Sequence, residues 1–165
     1  ETIKTFAFYR SGIPGEDRPP AQYRNTFNLE EELYEKVMAD VSEYEKIAPE
    51  VAEFQAEGME DAELVLVCHG VVFRAVREAV AKLREQGRKV GYFRPVTLRP
   101  LPVRQLREMV GKTKKVLLVE SAYGQLARLF KEAAYGSGTE MLTLFRPGLG
   151  ITAGEVEAKV KEILI

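Results

Sequence analysis

The chain carries one cysteine and one histidine, and they are neighbours in Cys68-His69-Gly70. A thiolate beside an imidazole is the pairing of a covalent nucleophile. Neighbours on an extended strand point to opposite faces, however, so these two cannot easily pair. Cys68 therefore reads as a buried, inert thiol. His69 would need carboxylates to complete a metal shell, and no clustered set stands out. It reads as a turn residue facing a ligand or partner, or as a capping or surface histidine. Arginine recurs in Arg94-Pro95 and Arg146-Pro147, each just after an apolar run. Two guanidinium forks on one sheet edge can hold a phosphate or carboxylate. They can equally pair with Glu120 or with another chain. Glu120 closes a third apolar run, where a carboxylate serves as a general base, a ligand contact, an interface ion pair or a loop tie. Thr97 lies in the proline-rich Arg94–Pro102 stretch, either within a rigid connector or beside Arg94 facing an anion or partner subunit. No Ser-His-Asp set and no spaced acidic pair is present, so no catalytic residue is assigned.

Two phosphate-binding patterns fail on inspection. The turn His69-Gly70-Val71-Val72 lacks the spaced glycines of a dinucleotide site. Gly111-Lys112-Thr113 looks like the end of a phosphate loop, but Leu106 stands where the earlier glycine belongs, and the tripeptide ends a helix.

Those residues need a scaffold, and 165 residues with 45% hydrophobic content supply enough for one core. One cysteine excludes an intrachain disulfide and a four-cysteine zinc or iron–sulfur site built from this chain alone. No apolar run approaches the roughly 20 residues of a membrane span, and no signal peptide is visible. The expectation is a soluble cytoplasmic protein, with no membrane partner. The chain opens on Glu1, as an excised piece of something longer would. Its formal net charge is −1, yet residues 1–61 carry −9 and residues 62–165 carry +8. The halves can neutralise each other, or the basic part can meet an anion or acidic protein. Nucleic acid is not expected, since no basic run with interleaved aromatics or known motif appears.

The patterning divides the chain near residue 60. Residues 2–9 read as a strand and 11–28 as an extended loop. Asn28, with Glu31 three residues on, can cap a helix. Its apolar positions Leu29, Leu33, Val37, Val41, Tyr44 and Ala48 form a stripe expected to pack on the core or on a second copy. Pro49 should end or kink this helix. From residue 62 the order becomes regular. Apolar runs at 63–68, 89–93, 115–119 and 140–145 read as strands, the first buried on both faces. Helices are expected at 71–87, 102–110 and 124–135, then one opened by a Thr152/Glu155 capping box. Alternation of this kind predicts a three-layer α/β/α sandwich with a mostly parallel sheet of four or five strands. Residues 1–61 would be a linker and 62–165 the domain. Ligands of such sheets bind outside the strands' carboxyl ends, where Cys68, His69, Gly70, Arg94, Glu120 and Arg146 fall.

Several segments, in order, carry a resemblance. Leu64–Gly70, Ala75–Gly87 and Lys89-Val-Gly-Tyr-Phe93 form one βαβ unit. Arg94-Pro-Val-Thr-Leu-Arg-Pro-Leu-Pro102, Val119-Glu120 with Gly124-Gln125-Leu126, and Phe145-Arg-Pro-Gly148 with Gly150 follow. About 100 residues so resemble the C-terminal, transketolase C-terminal-like domain of the alpha subunit of 2-oxoacid:ferredoxin oxidoreductases. The loop 11–28 lacks that family's expected His-Asp/Glu stretch. The resemblance implies a domain of an enzyme complex that decarboxylates a 2-oxoacid on thiamine diphosphate, transfers the acyl group to coenzyme A and reduces ferredoxin. Thiamine diphosphate, Mg and iron–sulfur clusters are implied in the full complex, none bound by this chain alone. Its partners would be the other domains and subunits, with ferredoxin and coenzyme A at the level of the complex. The alternatives are a C-terminal domain of another thiamine enzyme, a transketolase or a 2-oxoacid dehydrogenase beta chain, and a non-catalytic interaction module.

Overall fold

The computed structural model describes residues 27–164. The strand expected at 2–9 and most of the 11–28 loop lie outside them. Helix α1 is Glu30–Val51, with Glu30, Glu31 and Glu32 in its first turn, where carboxylates favour the positive end of the helix dipole. Its first i to i−4 bond runs from Leu33 N–H to the Leu29 carbonyl, one residue beyond the expected Asn28 cap. Pro49 is tolerated in the last turn and the helix stops two residues later. No residue of α1 is buried, and its large apolar side chains are 42–67% exposed.

Five strands follow: β1 Phe54–Glu57, β2 Leu64–Cys68, β3 Val90–Pro95, β4 Lys115–Glu120 and β5 Glu140–Phe145. The sheet order is β1-β3-β2-β4-β5. β3, β2, β4 and β5 run parallel, as their continuous apolar runs require. β1 pairs antiparallel with β3, Phe54 opposite Pro95 and Glu57 opposite Tyr92. This edge strand lies upstream of the expected boundary at 61/62, and the compact α/β unit spans Lys46–Ile165. Phe54-Gln-Ala-Glu57 alternates as a strand does, but four exposed residues hold no local signal without β3 beside them.

Helices α2 Phe73–Glu85 and α5 Ala153–Ile163 cover one face. They pack Val76, Val80, Leu83, Val156 and Val160 on Leu64, Leu66, Leu117 and Val119. Helices α3 Val103–Val110 and α4 Gln125–Ala133 cover the other, with Leu106, Met109, Leu126 and Phe130 on Val65, Val67, Phe93 and Leu118. The three-layer expectation therefore holds. Every residue of β2 is fully buried, and each such aliphatic side chain contributes about 1.5–3 kcal/mol. The capping box that opens α5 is present: Glu155 N–H donates to Thr152 Oγ1 and Thr152 N–H to Glu155 Oε2.

Candidate functional site

The strand order reverses about β2, so β2 lies between β3, reached through α2, and β4, reached through α3 on the opposite face. The crevice between the carboxyl ends of β2 and β4 is therefore the topological switch point, where α/β sheets place ligands. His69 and Gly70 stand there. His69 Nδ1 lies 2.9 Å from the Pro95 carbonyl. A carbonyl only accepts, so Nδ1 carries the proton in this bond and Nε2 is the ring's other nitrogen. His69 precedes a 3₁₀ turn but makes no side-chain cap bond; it ties the ends of β2 and β3 together. Gly70 takes φ +67 to turn the chain into that 3₁₀ segment and is exposed.

Arg94 continues the Val90 and Tyr92 side of β3, facing α2. Its guanidinium lies 4.3 Å from the centre of the Phe73 ring, and Nη1 donates to Gln55 Oε1 at 3.0 Å. Nε is buried and has no hydrogen-bond partner among the described residues. Around it, Tyr92 meets Phe73 edge-on, and its hydroxyl donates to Glu57 Oε2. Burial first, then Glu57, push the Tyr92 phenol above its ordinary range. Gln55 and Glu57 carry no signal in the sequence, because only the β1 pairing brings them there.

Glu120 faces the other side of the sheet. It is 6% exposed, and its Oε2 accepts the Leu126 N–H of the first turn of α4 at 2.8 Å. Oε1 is buried without a partner among the described residues. Glu120 thus caps α4 and ties its loop. Arg146 pairs with Glu155 and not with Glu120, although its backbone N–H donates to the Glu120 carbonyl. Thr97 Oγ1 accepts the Glu53 N–H at 3.0 Å, fixing the connector to the start of β1. The six candidates therefore do not converge. His69 joins the β3 end beside Arg94, whereas Glu120 and Arg146 serve the opposite half of the sheet. Among the described residues, Arg146 is neutralised by a carboxylate and Arg94 is not.

Cys68 faces the α2/α5 side and is fully buried. Burial pushes its thiol up to about 12, against a smaller lowering by the Arg94 charge. Below pH 9 the thiol is neutral folded or unfolded, so it leaves stability unchanged. Above pH 9 the unfolded chain loses the proton and the folded one keeps it. Stability should fall by about 1.4 kcal/mol per pH unit between pH 9 and 12 from this group. Urea titrations of wild type and Cys68→Ala across that window should show a shallower alkaline decline in the variant. Equal slopes would mean that the thiol is not held neutral.

A cleft of about 440 Å³ opens beside β1, lined by Phe54, Met59, Phe93 and Met109 with Glu60 and Glu108. Its lining includes Ala62 and Thr113, which precede β2 and β4, so it extends toward the strands' amino ends, away from His69.

The sheet is thus parallel but for its antiparallel edge strand, covered by helices on both faces, with an Arg-Pro connector after β3. Residues 62–162 match the family model described as "Pyruvate:ferredoxin oxidoreductase core domain II". The chain belongs to this family. It is 34% identical over 105 residues to ketoisovalerate oxidoreductase subunit VorB of Methanothermobacter marburgensis, covering 64% of this chain and 30% of that one. Pyruvate synthase subunit PorA of Thermotoga maritima is 37% identical over 98 residues, 56% of this chain and 25% of that one. The chain thus spans less than a third of the length of these relatives. Among solved structures, a 2-oxoglutarate:ferredoxin oxidoreductase from Magnetococcus marinus, with 2-oxoglutarate, coenzyme A and succinyl-CoA bound, superposes with a TM-score of 0.70 at 25% identity. That match covers 93% of this chain and 28% of the other. A split-gene transketolase shares the fold, at 20% identity and a TM-score of 0.56 over 67% of this chain and 41% of that one.

No helix among the described residues is long and apolar enough to cross a membrane.

Proposed function

We propose that the chain is the assembly domain of a subunit of a 2-oxoacid:ferredoxin oxidoreductase, placing Arg94 against an anionic group or partner surface and leaving the chemistry to other parts of the complex. In such an enzyme thiamine diphosphate with Mg supplies the decarboxylation chemistry, coenzyme A takes the acyl group, and iron–sulfur clusters pass electrons to ferredoxin. The described residues do not fit the clusters or the Mg. Cys68, the chain's one cysteine, is buried with its thiol held neutral, whereas a cluster ligand is an accessible thiolate. At the carboxyl edge Glu120 Oε2 accepts a backbone N–H and Oε1 is buried, so it presents no exposed carboxylate to Mg.

The single observation that carries the Arg94 role is its unneutralised charge. Among the described residues it is stacked on Phe73 and bonded only to the neutral Gln55, one strand from the switch point. A positioned guanidinium without a carboxylate is prepared for an anion. In the assembled enzyme, Arg94→Ala should lower kcat/KM or subunit affinity at least about tenfold, or roughly 1.4 kcal/mol. The melting temperature of the chain should change little. Lost stability with intact kinetics would make Arg94 a clamp between β1, β3 and α2.

A further inference from the structure

Helix α1 presents Leu33, Val37, Val41, Tyr44 and Val51 at steps of four, four, three and seven, all on one side of about 33 Å of helix. Each of these side chains is 42–48% exposed. Single exposed apolar residues need no explanation, but a continuous stripe marks an interaction surface. The rest of the helix is acidic, with eight Asp and Glu against Lys36 and Lys46, a net charge of −6. Lys36 is itself paired with Asp40.

Charge decides what can cover this stripe. A second α1 would bring two faces of charge −6 together, and like charges along paired helices are destabilising. The apolar cleft beside β1 of a second copy is lined by Glu60, Asp61 and Glu108 against Lys112, the wrong charge for an acidic helix. Beyond α1 and the Leu29 that precedes it, the exposed large apolar residues among those described are Phe54, Val71, Val103, Tyr123, Tyr135 and Leu149, each on a different element or loop. The relatives, by contrast, extend to more than three times the matched length. We propose that α1 is a docking element whose stripe seats in an apolar groove bordered by Lys and Arg on the catalytic portion of the oxidoreductase. This rests on the function proposed above. Apolar contact supplies the affinity, and the acidic border sets orientation and makes the contact sensitive to salt.

Hydrogen exchange on the assembled enzyme and on the 165-residue chain tests this. Amides of 30–51 should exchange at least about 100-fold more slowly in the assembly. Val37→Asp with Val41→Asp should abolish that protection and leave the melting temperature of the 165-residue chain unchanged. Glu31→Lys with Glu35→Lys and Glu43→Lys should weaken the assembly at low salt and flatten its salt dependence. Equal exchange in both states, or an assembly indifferent to both variants, overturns the docking alone. A concentration-dependent dimer of the 165-residue chain that Val37→Asp with Val41→Asp dissociates makes a second copy the occupant, and also overturns it. Wild-type chain that never joins oxidoreductase subunits overturns the functional reading as well.

Discussion

Gly91→Val should strip the edge strand from the sheet and lower the stability of the α/β unit by about 2–4 kcal/mol, the upper range for overpacking in a closed site. A Cβ at Gly91 would stand 2.4 Å from the Gly58 carbonyl oxygen and 2.7 Å from that of Glu57. Both are backbone atoms, which cannot swing aside as a side-chain tip does. Gly58 adopts φ +67 and its carbonyl accepts from Arg84 Nη1 at 3.3 Å, so it is held where it stands. At about 2–4 °C per kcal/mol for a domain of this size, the melting temperature should fall by roughly 5–15 °C, with new proteolysis at 54–60. The same variant should loosen Arg94, since Gln55 lies on the displaced strand. A melting temperature within about 2 °C of wild type would show that β1 does not cross Gly91 this closely.

Complete loss of chemistry is expected for the 165-residue chain by itself. It should bind no thiamine diphosphate in calorimetry and reduce no viologen dye with a 2-oxoacid and coenzyme A. The expectation follows from the side chains at the strands' carboxyl ends. His69 donates to Pro95, Glu120 caps α4, Arg146 is paired with Glu155, and Cys68 is neutral within the sheet. None presents a general base and a nucleophile within hydrogen-bond reach of each other. Turnover above the buffer blank would place catalytic groups in this chain and overturn the assembly role. Restored turnover on adding the remaining subunits, with Arg94→Ala slower than wild type, would support it.

The sequence alone determined the four parallel strands, the helices between them and the capping box. A continuous apolar run such as Leu64–Cys68 must be covered on both faces, and Thr152 with Glu155 closes its bonds within one turn; both are local facts. It also placed the chemistry-bearing residues at one edge of the sheet, because strand ends follow from strand runs. Only the tertiary structure decided the rest. β1 exists because β3 pairs with it, and Arg84 pins its far end by reaching Asp61, 23 residues away. Arg94 and Glu120 end on opposite faces because side chains alternate along a strand, and a shift of one residue in either strand would have reversed that. Arg146 takes Glu155 as its partner through the approach of β5 to α5, which no spacing announces. The stripe of α1 is plain in the sequence, but its exposure is not. Periodicity reports that a face is apolar, whereas what covers it depends on which surface lies opposite.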